Sequence, residues 1–277
     1  MQNRIGTTVG ERFRIDAQIG RGAMAEVYRA LDQVTHAYVA LKILRHTHVS
    51  DEVSRARFAR EGEVQARLRH PNVAALLATG VTDRAEPYMA VELLRGKNLR
   101  SVLKAERVIS AKRAASYTWQ ALQGLHAVHQ AGILHRDLKP ANIMLEPSPG
   151  PIERVVLIDF GFATFEGGAK LTLHGTVVGS LTYIAPERLR TDPADHRADL
   201  YAMGLILYEL LTGKPVFAAE DDFDLIKLHL KEPPPHVEDP VLDAIIQRAL
   251  AKQPSDRFAD AAEMAAAIEL AARELRG

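Results

Sequence analysis

The chain contains no cysteine. That excludes disulfide cross-links, thiolate nucleophiles and cysteine-ligated metal centres, although it says little about compartment. Net charge is absent too. Lys+Arg and Asp+Glu both total 35, so no surplus of positive charge argues for a nucleic-acid partner. Nor is there a long hydrophobic run. The most apolar stretch, 200–211, is too short to span a bilayer and carries Glu209, so it reads as a buried core helix. The start, Met1-Gln2-Asn3-Arg4, leads into no apolar core, and no signal peptide is expected. These absences predict a cytoplasmic protein with no membrane segment in this chain.

What is present is ordinary for a soluble globular enzyme: 277 residues, 47% hydrophobic and 25% charged. That length suits one large domain or two lobes. The first ninety or so residues read as strands with one helix. Phe13, Ile15, Ala17 and Ile19 alternate with Arg14, Asp16 and Gln18, the period of a half-buried strand. Val27–Leu31 resumes the pattern after Gly20-Arg21-Gly22. Val39–Leu44 puts Val39, Leu41 and Ile43 on one face and Lys42 on the other. A helix is expected near 51–69, with Glu61, Val64 and Leu68 on one face, and short strands over 73–78 and 88–94. After Gly96 the pattern turns helical. Ser110 is a candidate N-cap for a helix to about Gln130 with Trp119, Leu122, Leu125 and Val128 at apolar spacing. Short strands at 142–145 and 155–158 flank a proline-rich loop, and helices follow near 199–211, 223–230, 240–251 and 261–275.

Gly20-Arg21-Gly22-Ala23-Met24-Ala25 approximates G-x-G-x-x-G with alanine in the third place. A dinucleotide-binding turn needs a helix to open straight after the glycines. Here Glu26-Val27-Tyr28-Arg29 reads as another strand, so the glycines belong to a hairpin, whose backbone can approach phosphates closely. Taken singly, Lys42, Glu61 and Asp159 each have bland readings: a solvated lysine, a helix carboxylate, a turn residue.

Their order and spacing change the odds. Gly20 to Val27, Ala40-Leu41-Lys42, His135-Arg136-Asp137-Leu138-Lys139-Pro140-Ala141-Asn142, Asp159-Phe160-Gly161 and Ala185-Pro186-Glu187 follow one another along the chain. Together they resemble the signature set of eukaryotic-type protein kinases, in its bacterial serine/threonine branch. The resemblance covers roughly residues 9–275. It implies an α+β, bilobal protein-kinase fold: a small antiparallel-sheet N-lobe with one helix at about 9–94, and a larger, mainly helical C-lobe at about 95–275.

The resemblance also implies roles. Gly20, Gly22, Ala25, Val27 and Ala40 would line the nucleotide site, Lys42 would supply a cation to the α/β-phosphates, and Glu61, rather than Glu63, would hold Lys42. Val91 falls at the gatekeeper position, with the backbone of Glu92 and Leu94 binding adenine. Asp137 would accept a hydrogen bond from the attacking hydroxyl, Lys139 would reach the transferring phosphate, and Asn142 and Asp159 would offer hard oxygen ligands to Mg2+ (with Mn2+ as a substitute). Phe160, His135, Asp199 and an Arg257–Glu187 pair would be scaffold. Lys139 in Leu138-Lys139-Pro140-Ala141-Asn142 resembles serine/threonine rather than tyrosine kinases.

The implied partners are ATP and proteins bearing Ser/Thr acceptors. Regulation is expected through Arg136 and phosphorylation of Thr172 or Thr176, with self-association for trans-autophosphorylation. Two departures stand out: Ala25 replaces the third glycine, and Gly179-Ser180-Leu181 replaces the usual Gly-Thr-Pro, keeping a hydroxyl at Ser180. A small-molecule phosphotransferase would lack Ala185-Pro186-Glu187. A pseudokinase would have lost Lys42 or an aspartate.

Overall fold

The computed structural model describes residues 4–22, 24–150, 152–160, 164–165, 181–190 and 192–275. Two compact units result. The first takes in the chain up to His70, Ala74–Arg95 and Phe160; the second takes in Pro71–Val73, Gly96–Asp159 and the chain from 164 onward.

In the first unit, strands β1 (Thr8–Val9), β2 (Phe13–Arg21), β3 (Ala25–Asp32), β4 (Tyr38–Leu44), β5 (Leu76–Val81) and β6 (Pro87–Glu92) form a sheet in the order β1-β2-β3-β4-β6-β5, every pairing antiparallel. Helix α1 (Glu52–Ala66) lies between β4 and β5 in the chain, and Asp51 starts it by accepting hydrogen bonds from the Val53 and Ser54 amides, both at 3.2 Å. Central strand β4 is buried on both faces. Val39, Leu41 and Ile43 join Phe13, Ile15 and Tyr28 in one cluster, while Leu44 joins Phe58 of α1 and Met89 in another.

Two expectations fail here. Ile19 is 50% exposed. The β2–β3 register shifts between Ile15 and Ala17 and again between Gln18 and Gly20, so Asp16 and Ile19 are extra residues and strict alternation is lost. The strand expected at 73–78 runs instead over Leu76–Val81. Val73 makes an isolated parallel bridge with Leu157 of the second unit's own hairpin, where Leu157 N also donates to Asn72 O at 2.9 Å.

The second unit holds β7 (Lys97–Asn98), α2 (Leu99–Glu106), α3 (Ala111–Gln130), β8 (Ile133–Leu134), β9 (Ile143–Glu146), β10 (Arg154–Leu157), β11 (Thr164–Phe165), α4 (Pro186–Leu189), α5 (Arg197–Thr212), α6 (Asp222–Lys231), α7 (Pro240–Ala249) and α8 (Ala261–Glu274). Every residue of α5 from Ala198 to Leu210 is buried. A side chain at Gly204 would put its Cβ 2.8 Å from Ala249 Cβ, so only glycine lets α5 and α7 pack at this distance.

The later helices begin where side chains close their first turns. Asp239 accepts from Val241 N and Leu242 N at 3.0 and 2.9 Å, and Asp260 accepts from Glu263 N at 2.8 Å. Ser110 precedes α3 as expected, yet its side chain makes no cap bond. Trp119, expected on the buried stripe of α3, is 37% exposed. The buried stripe runs through Ala114, Thr118, Ala121, Leu122, Leu125 and Val128, one position out of phase with it. Small residues there let α3 lie against α8 and β10. Among the described residues, no helix is long and apolar enough to cross a membrane.

Candidate functional site

In the first unit the glycine segment forms a β-hairpin, closed by Gly22 N donating to Ala25 O at 2.8 Å. Gly20 pairs with Val27, Val27 pairs across β3–β4 with Lys42, and Ala40 pairs across β4–β6 with Val91. Antiparallel pairing therefore gathers Gly20, Val27, Lys42, Ala40 and Val91 from three parts of the chain.

Lys42 Nζ donates to Glu61 Oε1 at 2.6 Å, with both side chains largely withdrawn from solvent. Gly62 brings Glu61 into reach: a Cβ there would sit 3.2 Å from Met89 Sδ, so α1 lies close against β6. Glu63 faces solvent. Glu92 N donates to Ala75 O at 2.9 Å, and Val91, Glu92 and Leu94 are half-buried.

In the second unit, Asp137 is the hub. Lys139 Nζ donates to its two carboxylate oxygens at 3.0 and 2.8 Å, and Asn142 Nδ2 donates to its backbone oxygen at 2.8 Å and to Oδ2 at 3.0 Å. The β9–β10 hairpin pairs Ile143 with Leu157 and lets Ile158 N donate to Asn142 O at 3.0 Å. Asn142 and Asp159 therefore flank one end of the same ribbon. With its amide nitrogen committed to Asp137, Asn142 keeps Oδ1 as a hydrogen-bond acceptor. Asp159 is exposed and adopts φ +59°, and Arg136 adopts φ +62°. Such left-handed geometry in non-glycine residues costs energy and concentrates at functional sites.

What holds the loop in that shape is Asp199, at the buried start of α5. Its Oδ2 accepts from His135 N and its Oδ1 from Arg136 N, both at 2.9 Å. His129 Nε2 lies 2.9 Å from Oδ2. Burial opposes ionisation of Asp199, but His129 and the amides overcome it and push its pKa down to about 2. Burial in turn pushes the His135 imidazole below the ordinary histidine value, keeping it neutral. Arg257 forks onto Glu187, Nη1 to Oε1 at 2.8 Å and Nη2 to Oε2 at 2.7 Å.

The residues around Asp137 thus combine an oriented carboxylate, an adjacent cation and hard oxygen donors, a set suited to phosphoryl chemistry. A family model described as protein kinase domain matches residues 13–268. The chain belongs to the protein kinase family. Its two units correspond to the kinase fold's antiparallel-sheet lobe and helical lobe.

The kinase domain is 38% identical over 98% of its length to the serine/threonine-protein kinase pkn3 of Myxococcus xanthus, and 36% identical over 93% to the serine/threonine-protein kinase PknB of Mycobacterium tuberculosis. It spans 52% and 42% of those relatives, about half the length of the curated proteins it matches.

Of the expected site residues, Lys42 and Glu61 meet in the first unit, and Asp137, Lys139, Asn142 and Asp159 gather in the second. Thr172, Thr176 and Ser180 lie outside the described residues. Two residues near this kinase's catalytic loop escaped the sequence reading. His129 ends α3 in apolar phase with Leu122 and Leu125, a polar residue on a buried stripe, and that was a usable signal. Arg188, directly after Glu187, carried none.

Proposed function

We propose that this chain is the catalytic domain, over all 277 residues, of an ATP-dependent serine/threonine protein kinase acting in the cytoplasm. The observation that carries the reading is the Asp137 carboxylate held by Lys139 and Asn142 on a loop whose backbone is pinned to Asp199.

In this reading Asp137 accepts the hydrogen bond of a serine or threonine hydroxyl and orients its oxygen towards the γ-phosphorus. The new P–O bond forms as the β–γ bridging bond breaks, and the hydroxyl proton passes to Asp137. Lys139 follows the transferring group as its negative charge shifts. Lys42, steadied by Glu61, holds the α/β-phosphates, while the Val91–Leu94 segment receives adenine through the backbone of Glu92 and Leu94.

Among the described residues no cluster of three or more His, Cys, Asp or Glu is built to enclose a cation. Two ligands, Asn142 and Asp159, suit magnesium, which takes its remaining oxygens from phosphates and water. When bound, magnesium (or manganese in its place) neutralises charge on the leaving phosphates. The chain also phosphorylates its own segment at Thr172 or Thr176, one copy acting on another, and Arg136 receives that phosphate.

The test is incubation with Mg-ATP and an exogenous protein, with mass spectrometry of both proteins. Phosphate should appear on serine and threonine but not tyrosine, and on Thr172 or Thr176 of the kinase itself. Asp137→Asn keeps the shape and removes the anionic acceptor, and it should abolish transfer. Near-normal turnover in that variant would sink the assignment.

A further inference from the structure

Arg100 of α2, Tyr183 of the 181–183 turn and Glu209 of α5 meet in one hydrogen-bonded knot within the second unit. Arg100 Nη1 donates to Glu209 Oε1 at 2.6 Å, and Nη2 donates to Tyr183 Oη. The same hydroxyl donates to Glu209 Oε2. Burial, and then Glu209, push that hydroxyl above the ordinary tyrosine pKa, so it keeps its proton. The Glu209 side chain is 5% exposed and that of Arg100 34%. From outside, the cation covers the carboxylate.

This knot stands beside the catalytic loop. Helix α2 packs against the 140–142 turn, whose Asn142 bonds Asp137, and Tyr183 ends the turn that leads into Ala185-Pro186-Glu187. A segment that delivers a hydroxyl to Asp137 therefore runs close to α2. The charge it meets there has one sign. Residues 97–107 carry Lys97, Arg100, Lys104 and Arg107 against Glu106 alone, and Glu106 is taken by Arg113. Lys104 lies one helical turn beyond Arg100. Lys97 and Lys104 are exposed, and among the described residues neither pairs with a carboxylate.

We propose that Arg100, flanked by Lys97 and Lys104, sets the charge preference of this kinase for its substrate. Segments with aspartate or glutamate beside the acceptor hydroxyl are taken, and segments with lysine or arginine there are turned away. The proposal rests on the kinase reading above and deepens it by naming the class of substrate. A guanidinium has more donors than the two bonds to Glu209 and Tyr183 use, and the rest can meet a carboxylate on the substrate. Like charges brought together exclude the wrong partner. Arg100 decides the sign because of what lies under it. Remove the guanidinium, and the corner that attracted acids offers them the Glu209 carboxylate instead.

The experiment measures Mg-ATP-dependent transfer by the whole chain to three synthetic peptides. Each has one central threonine, flanked on both sides by glutamates, by alanines or by lysines. The glutamate peptide should exceed the lysine peptide by about tenfold or more in kcat/KM, the worth of one charge-assisted hydrogen bond, with the difference mainly in KM. Arg100→Met should raise the lysine peptide and lower the glutamate peptide until the order reverses. That variant leaves Glu209 buried without its cation and is at risk of misfolding. The double variant Lys97→Glu with Lys104→Glu keeps the Arg100–Glu209 pair and changes two exposed side chains. It should narrow the preference severalfold.

Each result is read as the ratio of glutamate to lysine peptide within one protein, so a general loss of activity cancels. Transfer to all three peptides without preference, or with preference for lysine, would overturn the proposal and leave the kinase reading standing. So would an unchanged ratio in the double variant or in folded Arg100→Met. No transfer to any peptide, the alanine one included, would overturn the kinase reading and this proposal with it.

Discussion

Arg257 and Glu187, seventy positions apart, form a two-bonded ion pair from which water is excluded on both sides. Arg257 also donates to the backbone oxygens of Ala251 and Arg197 at 2.8 and 3.0 Å, so one side chain ties the residue after the α7 end region and the start of α5 to α4. Removing one partner leaves the other charge buried and uncompensated, at a cost of roughly 3–5 kcal/mol. Glu187→Ala should therefore lower the urea midpoint steeply, and Arg257→Met with Glu187→Leu together should lose less than the two single losses added. Additive losses would show that the residues do not act as a pair.

Lys42 depends on Glu61 for its position. Lys42→Met should reduce kcat/KM by about 10²–10³-fold, as the loss of one electrostatic group at such a site does. Glu61→Gln should act in the same direction, with the greater part in KM for ATP. The double variant should be little worse than Lys42→Met alone, because groups acting as a unit are not additive. Steady-state kinetics on all three proteins check this, and independent, multiplying losses would contradict it.

Acid stability should reflect His229. Burial, and then the Lys252 cation, push its pKa down to about 3, and its Nε2 is buried without a hydrogen-bond partner. Tyr201 Oη lies 3.2 Å from its Nδ1. An unfolded histidine titrates near 6.5. In the window from about 6.5 down to about 3 the unfolded chain thus binds a proton that the folded chain refuses, and stability falls as pH falls. Thermal midpoints measured from pH 7.5 to 5 should decline. His229→Phe should flatten that decline; an unchanged slope would assign the acid sensitivity to other groups.

Much of this protein was legible in the order and kind of its residues. The catalytic loop around Asp137 and the Asp159 motif are local strings, and local strings survive in sequence. The helices expected from 240 and 261 were legible too, whereas the Asp239 and Asp260 side chains that cap them came with the structure. So was strand β4, whose alternation separates Lys42 from Leu41 and Ile43. Tertiary structure decided the rest. Ile19 and Trp119 are apolar residues left at the surface, one by bulges in the β2–β3 register and one by the small-residue contact of α3 with its neighbours. Asp199, expected as scaffold from the family resemblance alone, reaches back 63 and 64 positions to hold the loop before Asp137, while nothing in the sequence signalled that Arg188 reaches the Arg136 carbonyl across 52. Periodicity reports which face of an element is apolar, whereas the pairing of buried charges depends on which elements meet. That is settled only when the chain packs and each polar group, cut off from water, must take its partner from whatever lies beside it.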